Sequence, residues 1–144
     1  MIRIRGEMIV LDTSAIAEMI RRTPDGLALI DLAMVNEKRI SCTLMRAELA
    51  SVFRKFTRTG ELSPKQAETL FSKSLSLIDC FHPIEDLESE ALHESIRLNH
   101  STFDMFYFVL ARRTGGTLFT TDRKLMQLCL DNGVNCVTQL DWNE

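Results

Sequence analysis

The chain has 144 residues, 45% of them hydrophobic and 26% charged, with a formal net charge of −3. That length suits one domain with a real core, and that mix excludes a disordered or fibrous protein. The negative balance excludes a general nucleic-acid coat, although it leaves room for a local basic patch beside an acidic, metal-neutralised site.

Residues 1–7 read as an N-terminal extension, with Met8 an alternative start, and residues 8–144 as a single domain. The opening "MIRIRGEMIV" is interrupted by charge too early for a secretory signal. No apolar run approaches the roughly 20 residues that span a bilayer. A cytoplasmic protein without a membrane partner is expected.

Helical and strand-like segments then alternate. "EMIVLD" is a short apolar run ending in Asp12, and Thr13–Ser14 starts a helix through "AIAEMIRR". "TPDG" is a turn cluster, and Leu27 to Val35 carries apolar residues at helical spacing. "RISCT" is short and β-like. "LMRAELASVFRKF" is helical, with Leu44, Ala47, Val52 and Phe56 on one face, and "TGEL" breaks it. "SPKQAETLFSKSLSLI" is a helix with Ser63 as N-cap and Pro64 in its first turn. "DCFHPI" is a third strand, "DLESEALHESIRL" a helix and "NHST" a loop. "FDMFYFVLARRTGG" is an apolar helix with basic residues in its last turn and glycines after it. "TLFTT" is a fourth strand, "DRKLMQLCLDNG" a helix, "VNCVT" a fifth strand and "QLDWNE" a tail.

This alternation predicts an α/β fold: a three-layer α/β/α sandwich on a central, mostly parallel, five-stranded sheet. Sites in such sheets form beyond the carboxyl ends of the strands. The polar residues that follow strand ends therefore become the candidates.

Asp12 follows the first strand. Asp122 follows the fourth in "LFTTD", repeating the order of apolar run, hydroxyl residues and Asp at a helix start. Asp104 begins the helix "FDMFYFVLARR", and Glu48 lies between Ala47 and Leu49 in the helix after the second strand. Each Asp alone reads as a helix cap and Glu48 as a solvated side chain. Capping explains neither the repetition nor the apolar setting of Glu48. Clustered carboxylates repel unless protonated or neutralised by a cation. Hard divalent ions such as Mg²⁺ or Mn²⁺ suit oxygen-only sites, and such a site opens the way to phosphodiester cleavage by an activated water.

The four cysteines form no C-x-x-C pair, and His82, His93 and His100 show no zinc spacing beside them, so the thiols read as buried and inert. A Cys129–Cys136 disulfide would need an oxidising compartment or a hyperthermophilic source.

"IVLDTSAI", "MRAEL" and "TFDMFYFVLARRTGGTLFTTDRKL", in that order, resemble PIN-domain ribonucleases, particularly the VapC-type toxins of toxin–antitoxin pairs. The resemblance runs over nearly the whole chain from Met8. It implies that Asp12, Glu48, Asp104 and Asp122 are the catalytic acids, binding one or two Mg²⁺ or Mn²⁺ ions for RNA hydrolysis. It also implies that Ser14 and Thr120 support the acids, that the chain is a homodimer, and that a protein antitoxin inhibits it. The helix that begins "FDMFYF" departs from the family pattern: Met105 stands where Ala is usual, and Phe106, Tyr107 and Phe108 are read as core packing. Arg123 and Lys124, directly after Asp122, are the best placed to meet RNA phosphates. Arg21, Arg22, Arg54, Lys55, Arg58, Arg112 and Arg113 are further candidates, while Tyr107 and Trp142 have no assigned place near the site. Ile16–Ile20 and "SVFRKF" are candidate partner surfaces. A housekeeping RNA-processing PIN nuclease without an antitoxin, and a non-catalytic RNA- or protein-binding domain of the same fold, remain open. A receiver domain would need a Lys after the fifth strand, which is absent, and a haloacid-dehalogenase-type phosphatase would need Asp where Ser14 stands.

Overall fold

In a computed structural model of the chain, residues 8–33 and 37–137 are described. The expected extension at 1–7, the end of the helix expected to reach Val35, the last residue of "VNCVT" and the tail 139–144 lie outside them.

Four short strands form one parallel sheet: β1 (Ile9–Leu11), β2 (Arg39–Cys42), β3 (Cys80–His82) and β4 (Thr117–Phe119), in the order β3-β2-β1-β4. All three residues of β1 and of β4 are buried, as expected for strands covered on both faces. From β1 the chain steps outward through β2 to β3, then returns to the other side of β1 to lay down β4. The connections diverge between β1 and β4, and that is the switch point where open α/β sheets place their sites. The two strand ends meet there: the Asp12 N–H donates to the Phe119 carbonyl at 3.2 Å.

The expected fifth strand is reduced to a single bridge between Leu118 and Cys136. Two hydrogen bonds hold it, Leu118 N–H to Asn135 O at 2.9 Å and Val137 N–H to Leu118 O at 3.0 Å. The sheet is therefore four-stranded among the described residues. The preceding helix runs on to Asp131 and Gly133 takes a left-handed turn, so little chain is left to pair before residue 137.

Among the described residues seven helices flank the sheet: α1 (Thr13–Arg21), α2 (Pro24–Leu32), α3 (Leu44–Arg58), α4 (Pro64–Ser76), α5 (Glu88–Leu98), α6 (Thr102–Thr114) and α7 (Arg123–Asp131), with a single 3₁₀ turn at Ile84–Asp86 before α5. The "TPDG" cluster, expected as a turn, instead starts α2. The Thr23 hydroxyl accepts from the Gly26 N–H and Pro24 occupies the first turn, where its missing N–H is harmless. Gly26 permits α2 to lie against α1, because a Cβ there would stand 1.9 Å from the Glu18 carbonyl oxygen. The Ser63 start of α4 is a full capping box with Gln66.

α6 lies across β1, β2 and β4, and Met105 to Ala111 are all buried. This stretch is the centre of the core, which explains its continuous apolar run. Of the thiols expected to be buried, Cys42, Cys129 and Cys136 are buried and Cys80 is half-buried, and none of the four is in a disulfide.

Candidate active site

Asp12 is the last residue before α1 and is almost wholly buried, at 4% exposure. Its Oδ1 accepts from the Ala15 N–H at 2.8 Å, so it does cap the helix. The same oxygen accepts from the Ser14 hydroxyl at 2.7 Å. Burial pushes the Asp12 carboxyl up to about 6; the Thr120 hydroxyl, the Ala15 N–H and Ser14 pull it down, and the charge of Asp104 adds to the rise.

Asp122 occupies the matching place after β4. Its Oδ1 accepts from the Lys124 and Leu125 N–H groups at 2.9 and 3.3 Å, capping α7. Thr120 is buried, and its hydroxyl accepts from the Asp122 N–H at 3.1 Å. Ser14 ties the two strand ends together, 3.3 Å from the Thr120 hydroxyl and accepting from the Thr121 N–H at 3.1 Å. The local repeat of "LDTS" and "FTTD" is thus built as one cross-linked unit.

Asp104 comes from the first turn of α6 and faces Asp122. Burial raises its carboxyl, the hydrogen bond from His100 lowers it, and the nearby Asp122 raises it. The His100 Nε2 lies 2.8 Å from Asp104 Oδ2. His100, Asp104 and Asp122 each offer one donor atom, and the three atoms lie within 4.8 Å of one another. Among the described residues no other three His, Cys, Asp or Glu side chains meet this closely.

Glu48, half-buried on α3, takes a separate position. Its Oε1 accepts from the Thr13 hydroxyl at 2.9 Å and from the Tyr107 hydroxyl at 2.5 Å, and those two hydroxyls are 3.0 Å apart. Of the four sequence-derived acids, the structure brings ligand atoms of Asp104 and Asp122 within 4.8 Å of each other and sets the buried Asp12 where the charge of Asp104 raises its carboxyl. It sets Glu48 beside Asp12 through the adjoining residue Thr13.

Two residues of this arrangement are not apparent from the sequence. Tyr107, which reads there as packing, is buried yet aims its phenol at Glu48. Its one sequence signal is a spacing of three from Asp104, which places both on one side of a helix. His100 has no Cys or His at ligand spacing, so it carries no zinc signature; its position four residues before Asp104 is the signal that does exist.

The basic candidates divide. Arg123 and Lys124 are exposed at the start of α7, with Arg123 3.9 Å from Asp25. Arg112 and Arg113 are instead engaged with Glu90, and Arg112 also with the buried Glu94, so they fasten α6 to α5. Arg21 pairs with Glu18 and Glu61 and lies over the Phe56 ring. Ile16 is fully buried and offers no surface, whereas Ile20, Phe53 and Phe56 line a groove of about 360 Å³ with Leu62 and Leu70. No helix of the described residues is long and apolar enough to cross a membrane.

A family model for the PIN domain matches residues 9–129. The fold is similar to three solved structures. PAE2754 from Pyrobaculum aerophilum has a TM-score of 0.66 at 20% identity, over 85% of each chain. VapBC-1 from nontypeable Haemophilus influenzae gives 0.64 at 15% identity, over 95% of this chain and 99% of that one. FitAcB from Neisseria gonorrhoeae gives 0.66 at 17% identity, over 95% and 100%. At these identities the likeness is one of fold. A comparison with curated proteins finds no match.

Proposed function

The chain belongs to the PIN-domain family, and from that premise we propose that it is an endoribonuclease dependent on Mg²⁺ or Mn²⁺. The observation that carries this reading is the gathering of ligand atoms of Asp104 and Asp122 within 4.8 Å of each other at the β1/β4 switch point, with the buried Asp12 beside them. Three carboxyl groups gathered this way repel one another, and the burial of Asp12 removes part of the water that would screen them. A divalent cation relieves that repulsion, and oxygen donors suit Mg²⁺ and Mn²⁺. Asp12, Asp104 and Asp122 would hold the ion, with Glu48 alongside.

When bound, such an ion activates a water and stabilises the charge that develops on the phosphate and the leaving oxygen. The protein's own part is positioning. Ser14 and Thr120 link the Asp12 carboxylate to the Asp122 backbone, so the two acids keep a fixed spacing. Thr13 and Tyr107 hold one oxygen of Glu48 and leave the other to point elsewhere. Arg123 and Lys124, exposed on the rim, would meet the RNA backbone.

We extend the proposal to a toxin of a type II toxin–antitoxin pair, supported by the VapC-like order of the motifs and by the fold shared with VapBC-1 and FitAcB. The chain would act as a homodimer, and an antitoxin would inhibit it by placing a basic side chain among the acids. The groove lined by Ile20, Phe53 and Phe56 suits an apolar segment of that partner.

Two experiments test the reading. The purified chain should cut RNA in Mg²⁺ or Mn²⁺, and Asp104→Asn should not; equal cleavage by both would reject the site. Expression of the chain alone should arrest growth. Normal growth with an active nuclease would favour an RNA-processing role without an antitoxin.

A further inference from the structure

His100 has an unusually well-braced backbone for a loop residue. Asn99 ends α5 in the left-handed conformation, with φ 52°. The next residue is then pinned from both sides: the His100 N–H donates to the Ser95 carbonyl at 3.2 Å, and the Ser95 hydroxyl donates to the His100 carbonyl at 2.5 Å. Thr102 donates in turn to the Ser95 hydroxyl at 3.0 Å. The result is an imidazole held at 15% exposure, with Nε2 2.8 Å from Asp104 Oδ2.

Ligands about 2.1 Å from a six-coordinate ion stand roughly 3.0 Å apart when adjacent and about 4.2 Å when opposite. The His100–Asp104 spacing of 2.8 Å, a hydrogen bond here, is also short enough for an adjacent pair of ligands, and all three donors lie within 4.8 Å of one another. His100 closes a triangle with Asp104 and Asp122.

We propose that His100 is a nitrogen ligand of the metal centre, which adds an imidazole to its carboxylates and favours Mn²⁺ over Mg²⁺. Imidazole adds little to the binding of Mg²⁺, which demands oxygen, and more to that of first-row transition ions. The inference rests on the metal-dependent reading above and adds a ligand and an ion preference to it.

Pulsed electron paramagnetic resonance of the full chain loaded with Mn²⁺ tests it. Coupling of the Mn²⁺ electron spin to a coordinated imidazole ¹⁴N is expected in the wild type. It should persist in His82→Ala and His93→Ala and vanish in His100→Ala. The Mn²⁺ dissociation constant should rise on the order of tenfold or more in His100→Ala, with Mg²⁺ binding changed by less than about twofold. Mn²⁺ bound with no nitrogen coupling in the wild type would overturn the assignment and leave the carboxylate centre standing, and no variant is needed for that result. Equal weakening of Mn²⁺ and Mg²⁺ binding would make His100 a positioning residue and also overturn it. Failure of the wild type to bind Mn²⁺ at all would overturn both the ligand and the metal-dependent reading.

Discussion

The Tyr107 hydroxyl and the Glu48 carboxylate, 59 positions apart in the chain, meet in a hydrogen bond of 2.5 Å. α6 delivers the phenol and α3 the acid, and Thr13 at the start of α1 completes the triangle. The three elements that frame the candidate site are thereby joined at one oxygen atom. Burial, then the neighbouring Cys42 and Glu48, pushes the phenol far above the usual tyrosine range, so it stays protonated and donates.

Tyr107→Phe removes that donor and little else. Thr13 still holds Glu48, so stability should fall by only about 1–2 kcal/mol. The turnover number should fall roughly tenfold, equal to about 1.4 kcal/mol of lost positioning, with KM for RNA nearly unchanged. Steady-state kinetics beside a thermal melt check this; wild-type turnover in the variant would show that Glu48 needs no such restraint.

Asp12 gives a pH prediction with a definite sign. Its folded pKa of about 6 lies above the ordinary 3.8, so the folded state holds the proton more tightly than the unfolded chain. The cost of ionising it in place is absent below about pH 4, grows as pH rises, and is complete above about pH 6, reaching about 3 kcal/mol. Asp104 is shifted in the same direction, whereas Glu94, lowered by Arg97 and Arg112, acts oppositely. The difference between variant and wild type isolates Asp12. In chelator, Asp12→Asn should melt higher than wild type at pH 7.5 and equally at pH 4, because Asn can still cap α1. Equal melting temperatures at pH 7.5 would contradict the assigned environment.

Gly26→Ala tests the α1–α2 packing rather than the chemistry. The new Cβ would stand 1.9 Å from the Glu18 carbonyl oxygen and 2.8 Å from the Met19 nitrogen, both backbone atoms. The helices must separate to admit it. A loss of about 3 kcal/mol is expected, at the upper end for overpacking, lowering the melting temperature by roughly 10 °C. An unchanged melt would show that α2 is free to move.

Arg123→Ala with Lys124→Ala should weaken RNA binding across sequences without changing the cleavage pattern. For every phosphate that goes unneutralised, the slope of log affinity against log salt should shrink by about 1. The same double change should leave turnover at saturating RNA intact. A change in cut-site preference instead would assign these residues to base recognition.

Much of the fold is legible in the sequence because its signals are local. The buried run "IVL", the Ser63–Pro64 start and the Gly115 stop each act within a few residues. The same locality misleads at "TPDG", where Thr23 and Pro24 serve equally as turn formers and as a helix start. Among the described residues the expected fifth strand is a single bridge at Cys136, because pairing is a tertiary event that local signals do not report. In the site, Asp12 and Asp122 are legible from their repeated setting after strands. Tyr107 is not, since its apolar neighbours mask a hydroxyl whose partner lies on another helix. His100 is hidden for a related reason: its partners are carboxylates, one of them on a distant strand end, whereas zinc spacing is a pattern of thiols and histidines.

Carboxylates at the β1/β4 switch point that hold an ion and activate a water against RNA should make cleavage depend on metal and acid together. The most direct test is cleavage of a defined RNA by chelator-treated protein, with metal restored and the product ends identified. No cleavage is expected without metal, full cleavage on adding Mg²⁺ or Mn²⁺, and none by Asp12→Asn. The ends should carry no 2′,3′-cyclic phosphate, because water rather than the RNA's own 2′-hydroxyl attacks. Chelator-resistant cleavage that leaves cyclic phosphate ends and survives Asp12→Asn would contradict the metal-activated water.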